Sequence, residues 1–195
     1  MQIRDYADSD EQGWLRCRVV SFMDTSYFND VKTKKELFNH PSICLIAEEN
    51  QTIIGLIDIE LDSDDLTYTS NERGAIIWNM AVLPEYRKHR VGRQLWEHAK
   101  ERLLEQGIHY CELWTQEDVA ANQFYKSIGF TLENSQTWIR CYTKGKKCMP
   151  LLNKAELGEI YGPEELIFDA PFNRKEELTK QCYRIDEVRL YTMKL

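Results

Sequence analysis

Apolar and polar positions follow two different periods in the first third of the chain. Residues 8–22 open on acidic and hydroxyl side chains that cap helices, and their apolar side chains then recur every three or four positions. Residues 31–40 show a shorter helical pattern that stops before Pro41. Residues 42–49 and 52–62 are apolar, β-branched runs joined by a polar turn. The pattern therefore predicts two helices followed by a β-hairpin.

From residue 74 onward, strand-like and helical patterns alternate. Residues 74–82 form an apolar run, and residues 91–106 carry one apolar helical stripe that ends at Gly107, a typical C-terminal cap. A strand–helix–strand series follows over residues 108–133. The stripe consists of Val91, Leu95, Ala99, Leu103 and Leu104. This order predicts an α/β layer, with at least one parallel crossover in a mixed sheet.

The last third of the chain has a less regular pattern. Within residues 134–183, Gly and Pro breaks separate a candidate strand from two short helical patterns. Residues 186–195 alternate between apolar and polar side chains and predict a final strand. We interpret residues 134–183 as an insertion within one domain that spans residues 1–195.

Composition narrows the class of protein. The 195 residues are 43% hydrophobic and 29% charged, as in a single soluble globular domain. A net charge of −7 disfavours binding to nucleic acid or to an anionic membrane, and favours a cationic partner. The chain lacks an apolar run that would cross a bilayer, and its first residues lack the apolar core of a signal peptide. These features predict a cytoplasmic protein.

Cysteine and histidine spacing gives no indication of a metal. The six cysteines form no CxxC pair, and the four histidines show no metal-ligand spacing. The sequence therefore predicts free thiols, several of them in the core, and no bound metal.

A basic cluster stands at the start of the long helix. Arg87, Lys88, Arg90 and Arg93 fall within seven residues of an otherwise acidic chain. The cluster is either a solvated surface or a seat for a polyanion. The second alternative has a physical basis, because the first N–H groups of a helix lack intrahelical partners and carry partial positive charge.

Three motifs around this cluster occur in a fixed order. They are the strand-then-proline segment WNMAVLPEYR (78–87), the loop RKHRVG (87–92) and the segment ANQFYKSIGF (121–130). Together they resemble the GCN5-related N-acetyltransferase (GNAT) superfamily, whose patterns are [QR]-x-x-G-x-[GA] for the loop and A-x-x-F-Y-x-x-x-G-F for the last segment. The resemblance implies the GNAT fold. That is a mixed, mostly antiparallel sheet of about six to seven strands flanked by helices, here with a C-terminal insertion before the last strand.

The same resemblance implies acetyl-CoA as cosubstrate and transfer of its acetyl group to a primary amine by direct attack in a ternary complex. The loop and helix start would hold the coenzyme phosphates, and the backbone of a splayed strand would pair with the pantetheine arm. The residues assigned to coenzyme binding are Met80, Ala81, Val82, Arg87, Lys88, His89, Arg90, Val91, Gly92, Arg93, Asn122 and Tyr125.

Tyr125 is the catalytic residue that the resemblance implies. A phenol within hydrogen-bond reach of the leaving thiolate can protonate the sulfur. Two positions depart from the family pattern: Arg90 replaces the first loop glycine, and Asp118 stands where the family often has Asn. Arg90 either is tolerated by the backbone or adds a phosphate contact. Asn122, four residues after Asp118 on the same helix face, is the alternative coenzyme contact.

The general base is not evident from the sequence. Trp78 and Asn79 occupy the strand positions where some relatives carry an acid. The candidates are Asp58, Glu60 and Glu112, or a proton path through water. Alternation places Asp58 and Glu60 on one face of their strand.

The acceptor is expected to be cationic, either a small-molecule amine or a peptide amine. The resemblance implies that part of the insertion lies near it, together with the side chains of Trp14, Arg18, Phe22, Tyr27, Phe28 and Trp78. An aromatic, acidic pocket favours a cation, although these aromatics equally fit a role in the core. The main functional alternative is a non-catalytic acyl-CoA sensor or interaction module. A homodimer is also compatible with the resemblance.

Overall fold

Nine strands of one sheet organise the described part of the chain. The computed structural model describes residues 1–63, 69, 73–133, 138–151 and 164–195. The strands are β1 (Gln2–Asp5), β2 (Ser42–Glu49), β3 (Thr52–Leu61), β4 (Ala75–Val82), β5 (Tyr110–Thr115), β6 (Thr131–Leu132), β7 (Trp138–Lys144), β8 (Glu165–Pro171) and β9 (Arg184–Lys194). The helices are α1 (Glu11–Phe22), α2 (Val91–Glu105), α3 (Val119–Ser127) and the single turn α4 (Lys175–Leu178).

The sheet has the strand order β1-β2-β3-β4-β5-β9-β7-β8, with β6 paired to β9. The β4–β5 pair is parallel and the other pairs are antiparallel. The mixed, mostly antiparallel α/β architecture is therefore confirmed. The expected number of six to seven strands was too low, because β1 is too short to show a sequence pattern and β8 lies inside the predicted insertion.

Helices α1 and α2 cover opposite faces of the sheet. Because successive strand residues point to opposite faces, Asp58 faces α1 while Gly55 faces α2. A Cβ atom on Gly55 would lie 2.9 Å from Cγ1 of Val91 and 3.0 Å from Cδ1 of Leu95. The missing side chain at Gly55 therefore lets the first turn of α2 sit directly on β3.

The apolar stripe of α2 is largely as predicted. Four of its five predicted members are buried, whereas Leu104 is 39% exposed and Trp96 is buried in its place. Gly107 ends the helix region with a φ of +73°, in the left-handed region that glycine adopts without strain.

The predicted helix over residues 31–40 was wrong. This segment has no regular secondary structure, and Lys35 and Glu36 are turned onto the sheet instead. Asp58 and Asn79 on neighbouring strands provide buried polar partners for them. These contacts lie more than twenty positions away in sequence, and they outweigh a weak local helical preference.

The region before the last strand extends the sheet rather than forming a separate decoration. Strands β7 and β8 form an antiparallel pair, and β7 also pairs with β9. A second small core supports them, composed of Ile139, Cys141, Ala170, Leu178 and Cys182. Of the two predicted helical patterns, the later one contains the single turn α4. The earlier one falls on residues 152–163, which together with 134–137 lie outside the described residues.

Three further observations concern the described residues alone. None of their helices has both the length and the apolar character needed to cross a bilayer. Among the same residues, no three His, Cys, Asp or Glu side chains come together in a group suited to a metal. All six cysteines are free thiols, and five are buried.

Candidate active site

A gap between β4 and β5 forms the centre of the candidate site. The two strands pair over only three positions, from Ala75 with Cys111 to Ile77 with Leu113. Beyond Ile77 the pairing stops, although β4 continues to Val82 along β3. One side of the second half of β4 therefore has no strand partner within the described sheet.

The backbone of β4 faces this gap at alternate residues. Leu83 donates its N–H to Ile54 O at 2.9 Å, so its backbone points towards β3. By the alternation of antiparallel pairing, Ala81 also points towards β3, whereas Met80 and Val82 present their backbone to the gap. Of the three residues predicted to bind pantetheine, Met80 and Val82 thus have the suitable orientation, and the Ala81 side chain is buried between them.

The N-terminus of α2 opens at the end of this gap. In the described structure its first turn has no capping side chain and no acidic residue. Gln94 N donates to Arg90 O at 3.0 Å, which leaves the preceding N–H groups of Val91, Gly92 and Arg93 without intrahelical acceptors. Such a helix start attracts an anion through its N–H groups and its dipole.

Gly92 brings α2 and α3 into close contact. A Cβ atom at this position would lie 3.2 Å from Cζ of Phe124 and 3.6 Å from Cε of Met80. The missing side chain at Gly92 therefore lets the start of α2 pack against α3, the helix that carries Tyr125. The loop motif and the Phe124-Tyr125 motif are thus in direct contact in the structure.

The basic side chains of the loop divide into two groups. Arg87 donates to Ser21 O at 2.7 Å and to Val82 O at 3.3 Å, and Arg93 donates to Ser127 O at 2.9 Å. Both therefore brace neighbouring elements in this structure, which differs from the expectation that they face phosphates. Lys88, His89 and Arg90 lie exposed on the loop.

Arg90 adopts the left-handed backbone conformation, which favours glycine. Its φ is +64° and its ψ is 9°, and Lys88 has a φ of +66°. The left-handed conformation costs an L-residue roughly 1–2 kcal/mol. The backbone of the loop thus keeps its shape without the glycine, at the expense of local strain.

Replacing Arg90 with Gly should raise the free energy of unfolding by about 1 kcal/mol, because glycine adopts this φ without steric conflict. Denaturant unfolding measures the change. Arg90→Lys, which keeps both the charge and the strain, is the matched control and should leave stability unchanged. Equal free energies of unfolding for wild type, Arg90→Gly and Arg90→Lys would show that the left-handed backbone at Arg90 is not strained.

Coenzyme A titration of both variants then shows whether the Arg90 side chain also contacts a phosphate of the coenzyme. In that case only Arg90→Gly should bind coenzyme A more weakly than wild type.

Tyr125 lies partly buried on α3, facing the sheet. Its ring contacts those of Phe130 and Tyr191, with centroids 6.1 and 6.0 Å away. Burial raises the pKa of Tyr125 well above that of an ordinary phenol, and the neighbouring Tyr27 adds to the rise. The hydroxyl is therefore held protonated at neutral pH and can act as a proton donor.

Asn122 and Asp118 organise the start of α3. Asp118 caps the helix by accepting a hydrogen bond from Ala121 N at 2.8 Å. The Asn122 amide donates to Gln116 O at 2.7 Å and accepts from the Tyr191 hydroxyl at 2.9 Å. Both side chains thus hold α3 and Tyr125 in position, and a coenzyme contact from Asn122 remains a prediction.

A buried polar chain lies on the α1 face of β4. Arg18, 2% exposed, donates from Nε to Asn79 Oδ1 at 2.8 Å and from Nη2 to Asp30 Oδ2 at 2.7 Å. Asn79 in turn donates to Glu36 Oε2 at 2.7 Å, and Glu36 also pairs with Lys32. Segment 31–40 is therefore fixed to the same part of β4 that faces the gap.

The three candidate bases are all buried and engaged. Asp58 pairs with Lys35 Nζ at 3.1 Å and accepts from Trp14 Nε1 at 3.2 Å. Burial raises the pKa of Asp58, and Lys35 opposes this rise. Glu60 accepts from Trp78 Nε1 at 2.9 Å, and Glu112 accepts from the Tyr110 hydroxyl at 2.9 Å.

The aromatic residues expected around the acceptor divide between core and surface. Trp14 is fully buried, Phe22 is half-buried against Arg18, and Phe28 and Trp78 are about half exposed. Tyr27 reaches the end of β5, where its hydroxyl accepts from Gln116 N at 2.9 Å. The sequence did not identify three residues that the structure places here: Asp30, Lys35 and Glu36. They lie in or beside the segment predicted to be a helix, and only long-range contacts reveal them.

Comparison with solved structures finds N-acetyltransferases that have a similar fold. The PaiA N-acetyltransferase of Thermoplasma acidophilum, solved in complex with coenzyme A, is 20% identical, with a TM-score of 0.58 over 69% of this chain and 91% of its own. The ribosomal-protein-alanine N-acetyltransferase of Brucella melitensis is 14% identical, with a TM-score of 0.59 over 100% of both chains. The ribosomal-protein-S18-alanine N-acetyltransferase of Escherichia coli is 17% identical, with a TM-score of 0.51 over 87% of this chain and 92% of its own.

Sequence comparison gives the family. No curated protein matches this sequence. The model of the acetyltransferase (GNAT) family matches residues 5–130, which is more than half of the chain and contains the gap, the α2 start and Tyr125. The protein therefore belongs to the GNAT family of acetyltransferases.

Proposed function

We propose that this protein is an acetyl-CoA-dependent N-acetyltransferase that acts on a primary amine by direct attack within a ternary complex. The observation that carries the proposal is the junction of three features at one place. Among the described residues, the backbone of Met80 and Val82 faces the β4–β5 gap, where Val82 O accepts only from the Arg87 side chain, and the start of α2 has no capping side chain. Gly92 in the first turn of α2 contacts Met80 and Phe124, and Phe124 precedes Tyr125 on α3.

The helix start, the basic loop and β4 match successive parts of coenzyme A, the acetyl donor. N–H groups of Val91, Gly92 and Arg93 would hold the pyrophosphate, and exposed Lys88, His89 and Arg90 would surround the phosphates. The backbone of Met80 and Val82 would pair with the amides of pantetheine as an added strand does. That the PaiA neighbour was solved with coenzyme A supports this assignment.

The chemistry follows from Tyr125. Bound acetyl-CoA supplies an acetyl group activated as a thioester. Tyr125 would donate its proton to the sulfur as the C–S bond breaks and the C–N bond forms, since a phenol is protonated at neutral pH and the leaving thiolate accepts the proton. Proton removal from the amine would pass through water, since Asp58, Glu60 and Glu112 are each buried and bonded to other side chains.

The acceptor would approach from the α1 face. There Asn79, Arg18 and Glu36 provide polar groups beside the gap, and the negative net charge of the chain favours a cationic amine. Two of the structural neighbours are named as N-acetyltransferases of ribosomal-protein alanine, so an amine acceptor agrees with the relatives.

One observation favours the alternative of a non-catalytic acyl-CoA sensor. All three candidate bases are engaged, and segment 31–40 covers the acceptor side of β4 through Lys35 and Glu36. A sensor would keep the coenzyme site and lack turnover, so the two functions differ in one measurable property.

Acetyl-CoA should stabilise the protein against heat, whereas ATP and NAD should not. At about a hundredfold excess over the dissociation constant the gain is about 2.7 kcal/mol. Release of coenzyme A thiol in the presence of a panel of primary amines, with tertiary amines of matched charge as controls, then separates enzyme from sensor. Stabilisation without amine-dependent thiol release would favour the sensor, and stabilisation by ATP or NAD alone would contradict both.

A further inference from the structure

The ammonium group of Lys35 occupies a closed pocket on the α1 face of the sheet. Its Nζ lies 4.9 Å from the ring centre of Tyr6, 5.4 Å from that of Trp14 and 4.9 Å from that of Phe38. Asp58 forms the floor, with Oδ1 at 3.1 Å from Nζ. The Lys35 side chain is only 6% exposed and that of Asp58 only 1%. We call these four residues, Tyr6, Trp14, Phe38 and Asp58, the ammonium pocket.

The ammonium pocket has the chemistry of a site for an organic cation. Aromatic rings within about 6 Å attract a cation through their electron-rich faces, and cages of this kind bind alkylated ammonium groups. The carboxylate of Asp58 adds an opposite charge in a buried setting. Lys35 Nζ also donates to Cys44 Sγ and to Glu36 O, each at 3.4 Å. The carboxylate and the three rings attract a cation by charge and shape, whereas only these two longer contacts depend on the direction of an N–H group.

The segment that delivers Lys35 is held mainly by side chains. Within the described residues, none of residues 31–39 takes part in a hydrogen bond between backbone groups, and residues 31–40 belong to no helix or strand. The backbone N–H of Lys35 donates to a side chain instead, Glu11 Oε1 at 3.2 Å. Val31 and Leu37 are 64% and 91% exposed. Segments with few backbone hydrogen bonds and exposed apolar side chains open locally at low cost. We therefore expect local opening of residues 31–40 to withdraw Lys35 from the ammonium pocket.

The ammonium pocket adjoins the β4–β5 gap. Cys44, Asp58 and Asn79 stand opposite one another on β2, β3 and β4 and form one row across the α1 face. Neighbouring strands are about 4.8 Å apart, so Asp58 lies one strand from Asn79. A molecule with an ammonium group in the pocket would place its other end beside the gap.

We propose that the ammonium pocket binds an organic ammonium group of the acceptor, and that Lys35 is an internal occupant which this group displaces. That the cation belongs to the acceptor rests on the proposed function, whereas the binding of the cation does not. A caged, paired ammonium cannot be the attacking nitrogen, because its lone pair is protonated. The acceptor class that fits therefore carries two nitrogens: one cationic group in the pocket and a separate primary amine at the gap.

The first test uses the wild-type protein and tetramethylammonium, which carries no reactive N–H. The rate at which an amine-reactive reagent labels Lys35 is compared with that of exposed Lys34, in tetramethylammonium chloride and in sodium chloride of equal ionic strength. We expect labelling of Lys35 to rise about threefold when the cation is at about twice its dissociation constant for the vacated pocket, as measured with Lys35→Ala, and labelling of Lys34 to stay unchanged. Equal labelling of Lys35 in the two salts would overturn the proposal.

The second test uses variants and measures tetramethylammonium binding by calorimetry without coenzyme. Lys35→Ala should bind at least about tenfold more tightly than wild type, because the internal competitor is gone. Lys35→Arg should bind as weakly as wild type, and adding Asp58→Asn to Lys35→Ala should remove the gain. No gain in Lys35→Ala that unfolds cooperatively would overturn the proposal. Because neither test uses acetyl-CoA or turnover, failure of the proposed function would leave both results unaffected.

Discussion

Tyr125→Phe is expected to lower kcat for acetyl transfer by about 10²- to 10⁴-fold, the usual contribution of a positioned general acid. The dissociation constant of coenzyme A should stay nearly unchanged, because the ring keeps its contacts with Phe130 and Tyr191. Steady-state kinetics together with calorimetric titration of coenzyme A measure the two quantities separately. Equal loss of turnover and affinity would show that Tyr125 is structural.

Tyr191→Phe is the matched control, since this hydroxyl donates to Asn122 and is not proposed to meet the thioester. It should lower stability and leave kcat close to wild type. The pH profile gives a second check on Tyr125. A phenol ordinarily loses its proton near pH 10, and burial raises the pKa of Tyr125 above that value. The acid therefore stays protonated, and kcat should not fall as the pH rises from about 7 to about 10.

Gly55→Val is expected to weaken both the fold and the coenzyme site. A Cβ atom here would lie 2.9 Å from Val91 Cγ1 and 3.2 Å from the Ala81 carbonyl oxygen, so α2 has to move away from β3. Overpacking of this kind costs typically 1–3 kcal/mol, and Val should lie at the upper end. Because the first turn of α2 is displaced, affinity for coenzyme A should fall by more than about tenfold, which is about 1.4 kcal/mol. Denaturant unfolding and calorimetry measure the two effects.

Gly13→Ala provides the comparison for Gly55→Val. Its Cβ would also meet a neighbour closely, at 2.8 Å from Cδ1 of Ile53, but that atom is the movable end of a side chain and the contact lies under α1. This variant should change stability only slightly and leave coenzyme affinity as in wild type. If Gly55→Val loses stability and keeps its affinity for coenzyme A, the seating of α2 on β3 does not shape the site.

The elements proposed to bind the coenzyme could be located from the sequence because their signals are local. The stripe of α2, the basic loop before it and the Phe124-Tyr125 pair each occupy a short stretch of sequence with its own period or motif. Local order also gave the parallel crossover, since a helix between two strands requires one. The conformation of Arg90 was left open, because only the backbone shows that a non-glycine residue keeps a φ of +64° there.

The region proposed to bind the acceptor depends on contacts between residues far apart in sequence. Lys35 meets Asp58, and Glu36 meets Asn79, only because β3 and β4 are neighbours under α1. The amphipathic spacing in residues 31–40 suggests a helix, yet the buried carboxylate and the aromatic rings draw Lys35 inwards. Likewise, β8 pairs with β7 across the segment between them, and no short-range turn signal fixes that register.

The most direct measurement concerns the start of α2. In an amide-resolved NMR titration with coenzyme A, we expect the largest shifts at the N–H groups of Val91, Gly92 and Arg93 and at the backbone of Met80 and Val82. Dephospho-coenzyme A should reproduce these shifts. Unshifted amides at Val91, Gly92 and Arg93 under saturating coenzyme A, with binding elsewhere on the protein, would contradict the central claim that this helix start holds the pyrophosphate.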